Sequence, residues 1–120
     1  MDIQERTLDF GVRILKFADK LTKTQAGMVF TKQLIRSGTS VGANMEEADG
    51  AASKNDFINK VAISRKEARE TRYWLCLIQK AGLINNTNNK GELNELIREI
   101  LELMKILSSI IIKAKAKRGY

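Results

Sequence analysis

Apolar side chains recur along the chain at intervals of three and four residues, the spacing that lines one side of a helix. Leu8, Val12 and Leu15 form one such row, and Phe10, Ile14, Phe17 and Leu21 form a second. Together they predict a first helix over 6–21 with a wide buried face. Arg6, Asp9, Arg13, Lys16, Lys20 and Lys23 hold the same spacing on the opposite side, so that face is nearly all basic. The pattern breaks over 22–25, where Thr24 is placed to cap the next helix.

A second helix is predicted over 26–49. Phe30, Leu34, Val41, Met45 and Ala48 keep one phase through Gly38 and Gly42, so "SGTSVGANMEEADGA" continues the helix instead of looping out. Each glycine costs about 1 kcal/mol there relative to alanine, and a close helix–helix approach would offset it. Ser53, with Asp56 three residues on, resembles a capping box opening a third helix over 54–82. Its seam runs through Phe57, Val61, Ser64, Ala68, Thr71, Leu75 and Ile78, with small residues in the middle. Folding the second and third segments as an antiparallel hairpin places Ser40 opposite Ser64 and sets Gly38 and Gly42 against 62–68. Thus Gly38, Ser40, Gly42, Ser64 and Ala68 are expected to form a thin packing seam, with Arg36 mirrored by Glu67.

"NNTNNKG", Asn85 to Gly91, is the clearest loop, and Asn89 with Glu92 would cap a fourth helix over 91–113. That helix is apolar around most of its circumference toward its end. Exposed Ile and Leu in such quantity mark a protein interface, so a homo-oligomer is expected, held through Leu103, Ile106, Ile110 and Ile112. The remaining face carries Glu95, Glu99 and Glu102, which argues against a membrane-surface helix. The tail over 113–120 adds four positive charges between Lys113 and Arg118 and is expected to fray.

Composition narrows the classes. At 120 residues, 43% hydrophobic, the chain is one domain with enough apolar matter for a core. Proline is absent, Leu, Ile, Lys, Glu and Ala dominate, and no alternating strand pattern occurs, so the fold class is all-α. The polar, acidic start is unlike a signal peptide, and no apolar run reaches the ~20 residues of a membrane span. The lone Cys76 fits a cytoplasmic location. A net charge of +7 favours anionic partners.

Most catalytic chemistry lacks its parts. Gly38 and Gly42 have the wrong spacing for a phosphate-binding loop and no lysine follows them. The chain has no histidine, so the Glu-x-x-His sites of di-metal helical proteins are absent. Glu46, Glu47 and Asp49 could make only an all-oxygen site; solvated ends or cation partners are the plainer reading. A Ser or Cys nucleophile would have no imidazole base. Ser37, Ser40 and Asn44 are more simply partners of Ser64 and Glu67 across the hairpin. A non-enzymatic protein without cofactor or metal is expected.

Basic rows remain. Arg65, Arg69 and Arg72 stand at i, i+4 and i+7 on the third helix, and Arg13, Lys16, Lys20 and Lys23 form a similar row, alternating three and four apart, on the first. Cations placed on phosphates release counterions and bind in a salt-dependent way. Tyr73 and Trp74 adjoin Arg72, and aromatics beside arginine can stack on unpaired bases. Against this, Glu67 and Glu70 interleave, Lys66 can bridge Glu70, and Trp74 suits a core. The nucleic-acid set is therefore Arg13, Lys16, Lys20, Arg65, Arg69, Arg72, Lys113, Lys115, Lys117 and Arg118. The alternative is a protein–protein adaptor whose basic rows confer solubility and select an acidic partner.

"SGTSVGANMEEA", "SKNDFINKVAI" and "KEARETRYWLCLI", spanning roughly 33–78, resemble the 23S rRNA-intervening-sequence protein family. Small residues, Asn44, Glu47, Glu67 and the trio Tyr73, Trp74, Leu75 arrive in the family's order. Ala48 and Ser64 depart from residues common there, Gly and Ala. The resemblance implies an up-down-up-down four-helix bundle assembling as a ring-like homopentamer. It further implies bacterial proteins encoded within rRNA intervening sequences or standing alone. A related branch, accessory proteins of diversity-generating retroelements, implies contact with RNA or DNA and a partner such as a reverse transcriptase, or else a scaffold role. It supplies no catalytic residue.

Overall fold

The computed structural model describes residues 2–117. They form four helices and no strand: α1 (Ile3–Ala18), α2 (Gln25–Asp49), α3 (Lys54–Ala81) and α4 (Thr87–Ala116). Side-chain oxygens mark the starts. Asp2 accepts from the Glu5 amide, Thr24 from Gly27, Ser53 from Asp56 and Asn86 from Asn89. Each satisfies an amide that has no partner inside its own helix. Thr24 and Ser53 cap as the sequence predicts. α4 starts four residues earlier than expected, because Asn86 and not Asn89 takes the cap. α3 stops at Gly82, whose φ of 67° is the left-handed conformation that glycine adopts without a Cβ penalty.

The stretch from Ser37 to Asp49 is helical throughout. α4 continues to Ala116, so the tail is helical through its first lysines instead of fraying; 118–120 lie outside the described residues.

α2 packs most extensively on α3, then α3 on α4 and α1 on α2, while α1 and α4 share a shorter contact. Across the diagonals, the described helices do not approach closely. Matched residues give the directions. Gly38 meets Ile14 and Gly42 meets Thr7. Ser64 reaches Val41 and Thr71 reaches Ser37. Arg65 reaches Ser108, and Gln79 reaches Asn94. Numbers rise on one member of each pair as they fall on the other.

The core is filled by Phe10, Ile14, Phe17, Leu34, Val41, Leu75, Ile78 and the α4 row Leu93, Leu96, Ile100, Leu103 and Leu107, all at most 1% exposed. Burying each such side chain contributes about 1.5–3 kcal/mol before conformational entropy is subtracted.

Three packing expectations need correction. Gly38 and Gly42 do not face α3. A Cβ on Gly38 would lie 2.9 Å from Ile14, and one on Gly42 would lie 3.1 Å from the Thr7 carbonyl oxygen, so the glycines bring α2 against α1. On a helix of 3.6 residues per turn these positions turn away from Val41, which takes the α3 side. Ser40 does not cross to Ser64; it donates to the Arg36 carbonyl of its own helix, while Ser64 donates to the Val41 carbonyl at 2.7 Å. Ala68 is fully buried in the α3 seam as expected. Leu8, Val12 and Leu15 are not buried: they are 68%, 43% and 48% exposed. α1 has neighbours on two sides only, and the Phe10–Ile14–Phe17 row occupies the inward direction.

Candidate nucleic-acid interface

Arg65, Arg69 and Arg72 lie one helical turn apart on α3, so they form a single row. Arg65 Nη1 donates to Ser108 Oγ of α4 at 3.3 Å, which sets the row on the flank of α3 that borders α4. Arg69 and Arg72 are exposed. None of the three has an ion-pair partner among the described residues. Beside the row, α4 presents a shallow depression lined by Leu101, Met104, Lys105, Ser108, Ile112 and Lys113, with no carboxylate in its lining. Lys115 and Lys117 follow at the end of α4, where cations also oppose the helix dipole favourably. Arg118 lies outside the described residues.

The other predicted cations divide. Arg13 is engaged with Glu92 at 3.6 Å, as its neighbour Arg6 is with Glu99 at 2.9 Å. That pairing withdraws Arg13 from the free set: a phosphate would have to compete with a fixed carboxylate. Lys16 and Lys20 are exposed near the end of α1. Thr22, just beyond them, bonds to Leu83 at the far end of α3, whereas Ser108 and the lysines after it lie toward the start of α3. The α1 lysines and the α4 tail thus occupy opposite ends of a molecule 54 Å long.

The aromatic pair does not join the arginines. Positions 72 and 74 are about 200° apart around a helix. Trp74 instead faces α2, 5.6 Å from the Phe30 ring, and its Nε1–H donates to Glu70 at 3.1 Å. Tyr73 meets its edge. Glu70 also receives the Arg36 guanidinium, whose other arm reaches Glu67 at 3.2 Å. The indole donor first, and Arg36 with it, hold the Glu70 carboxyl below its usual range. Arg36 and Glu67 thus pair as the mirrored positions predict, and Glu70 joins them, engaged by Arg36 and Trp74 instead of the predicted Lys66.

Of the predicted oligomer residues, Leu103 is wholly buried inside the protomer and cannot meet a partner. α4 is covered by both α1 and α3, which uses more of its circumference than the sequence suggests. Ile110 packs partly on the core, Ile106 is half-buried, and Ile112 is 67% exposed. Sequence reasoning missed Lys105. Its place four residues after Leu101 and seven before Ile112, outside the Leu93–Ile111 core row, was the available signal. Among the described residues, no three acidic or cysteine side chains gather closely enough to hold a metal ion, and no helix is long and apolar enough to cross a membrane.

The fold and sequence have known counterparts. A crystal structure of a protein of unknown function from the S23 ribosomal protein family of Bacteroides thetaiotaomicron superposes with a TM-score of 0.82. It is 40% identical over 92% of this chain and 98% of that one. Among curated proteins, none matches significantly. The model of the 23S rRNA-intervening sequence proteins matches residues 1–109, which take in α1, α2, α3 and most of α4. The chain belongs to the 23S rRNA-intervening sequence protein family.

Proposed function

We propose that this protein is a non-enzymatic, nucleic-acid-binding helical bundle of up-down-up-down topology that works as a ring-like homo-oligomer in the cytoplasm. The observation carrying the reading is the Arg65–Arg69–Arg72 row, whose three cations have no ion-pair partner among the described residues. A phosphate backbone laid along this flank of α3 meets a cation at each turn from Arg65 to Arg72. Contacts of this kind are individually weak, and repetition around an assembly multiplies them. The family's tie to ribosomal RNA makes structured RNA the first ligand to try.

Titration of structured RNA at two ionic strengths tests the reading. Affinity should fall steeply with salt, and absence of binding at low salt overturns it. A second reading, a protein–protein adaptor engaging a partner such as a reverse transcriptase, is favoured by the exposed Leu8, Val12 and Leu15. Recovery of a specific protein after nuclease treatment, with no RNA binding, would favour it.

A further inference from the structure

Among the exposed apolar surfaces of the described residues, two differ in shape and charge. Between α1 and α2, Leu8, Val12 and Leu15 border a groove. Gly42 and Ala43 keep its wall low, and its only charged lining residues are Glu5 and Glu46. On α4, Leu101 and Ile112 form an exposed stripe whose only charged companions are Lys105 and Lys113. None of these four charged side chains is ion-paired among the described residues. The stripe adjoins α3, as the Arg65–Ser108 contact shows, and α4 does not approach α2. Stripe and groove therefore lie on different sides of one protomer.

The geometry points to a head-to-tail contact between copies of this chain, in which the α4 stripe of one protomer seats in the α1–α2 groove of the next. Lys105 and Lys113 then face Glu5 and Glu46 around an apolar centre. Groove against groove would oppose carboxylates, and stripe against stripe would oppose lysines, so charge disfavours both symmetric pairings. A head-to-tail contact leaves one free groove and one free stripe until the chain of copies closes on itself. Arg69 and Arg72, on α3, stay outside the contact and recur from copy to copy. This inference rests on the homo-oligomer reading above and names the surfaces that would form it.

Two single variants and their mixture test it, read as mass by light scattering on nuclease-treated protein. Val12→Glu spoils the groove and Ile112→Glu spoils the stripe. Both positions are exposed, and circular dichroism confirms that each variant folds. Each alone should be monomeric. Mixed in equal amounts at high concentration they should give a dimer, because Val12→Glu keeps its stripe and Ile112→Glu keeps its groove. In a second pair, Glu46→Lys should lower the mass, and adding Lys105→Glu in the same chain should restore it. An Ile112→Glu protein of full wild-type mass, or a mixture that stays monomeric, overturns the contact while leaving the oligomer reading standing. A monomeric wild type overturns both, and none of these results depends on RNA binding.

Discussion

Gly38 of α2 lies so close to Ile14 of α1 that a Cβ on the glycine would sit 2.9 Å from both Cγ atoms of the isoleucine. Ile14 is fully buried and β-branched, so it has little freedom to turn aside. Alanine at 38 gains about 1 kcal/mol of helix propensity, while overpacking costs about 1–3 kcal/mol. Gly38→Ala should therefore lower the melting temperature. Gly91→Ala, in α4 with nothing within 4 Å of the added Cβ, should raise it. Thermal melts followed by circular dichroism check both, and a Gly38→Ala protein as stable as wild type would refute the close approach.

The hydroxyls of Ser37 and Thr71 lie 2.9 Å apart, both fully buried, and Thr71 also reaches the Glu67 carbonyl. Thr71→Val leaves the Ser37 hydroxyl without its cross-helix partner, at a cost of about 1–3 kcal/mol. Adding Ser37→Ala should return part of that loss, since an absent polar group needs no partner. Urea unfolding of the two singles and the double gives the coupling; strictly additive losses would contradict it.

Glu70 gives the fold an acid-sensitive tie. Its carboxyl titrates below the normal range because Trp74 and Arg36 favour the charged form. A depressed carboxylate adds stability above its unfolded pKa of about 4.3 and loses it as pH falls through the lower folded value. With its side chain 32% exposed, the contribution is on the order of 1 kcal/mol. Glu70→Gln should be less stable than wild type at pH 7, and the gap should narrow as pH falls below about 4.3. Trp74 is the one tryptophan, so its emission during denaturant titration reports the same cluster. A gap that persists undiminished in acid would count against this account.

Cations that look alike in sequence should behave differently toward RNA. Arg69→Ala removes an unpaired charge and should lower the slope of log affinity against log salt by about 0.7–0.9. Arg13→Ala breaks a pair with Glu92 and should leave that slope nearly unchanged. Equal effects from both would mean that the α3 row is not the contact surface.

Much of the helical layout was legible in the sequence because it rests on local physics. The constant phase from Phe30 to Ala48 required a helix through Gly38 and Gly42, and one formed. Thr24 and Ser53 could be recognised as caps because capping uses only the next three residues. Asn86 and Asn89 are chemically equal candidates in an asparagine-rich stretch, so the start of α4 was mistaken. The Arg65–Arg69–Arg72 row was visible from spacing. That Arg13 is taken by Glu92 was not, since the two residues lie far apart in the chain.

By itself the sequence determined the four helices, two of their four N-terminal caps and the polarity of their faces, since these depend on hydrogen bonds and periodicity within a few residues. Only the tertiary structure decided which face meets which neighbour. A helix with two apolar rows can bury only as many as it has neighbours to cover them. So Leu8, Val12 and Leu15 stayed outside, Leu103 went inside, and the glycines of α2 turned toward α1, where Ile14 and the Thr7 backbone leave no room for a side chain.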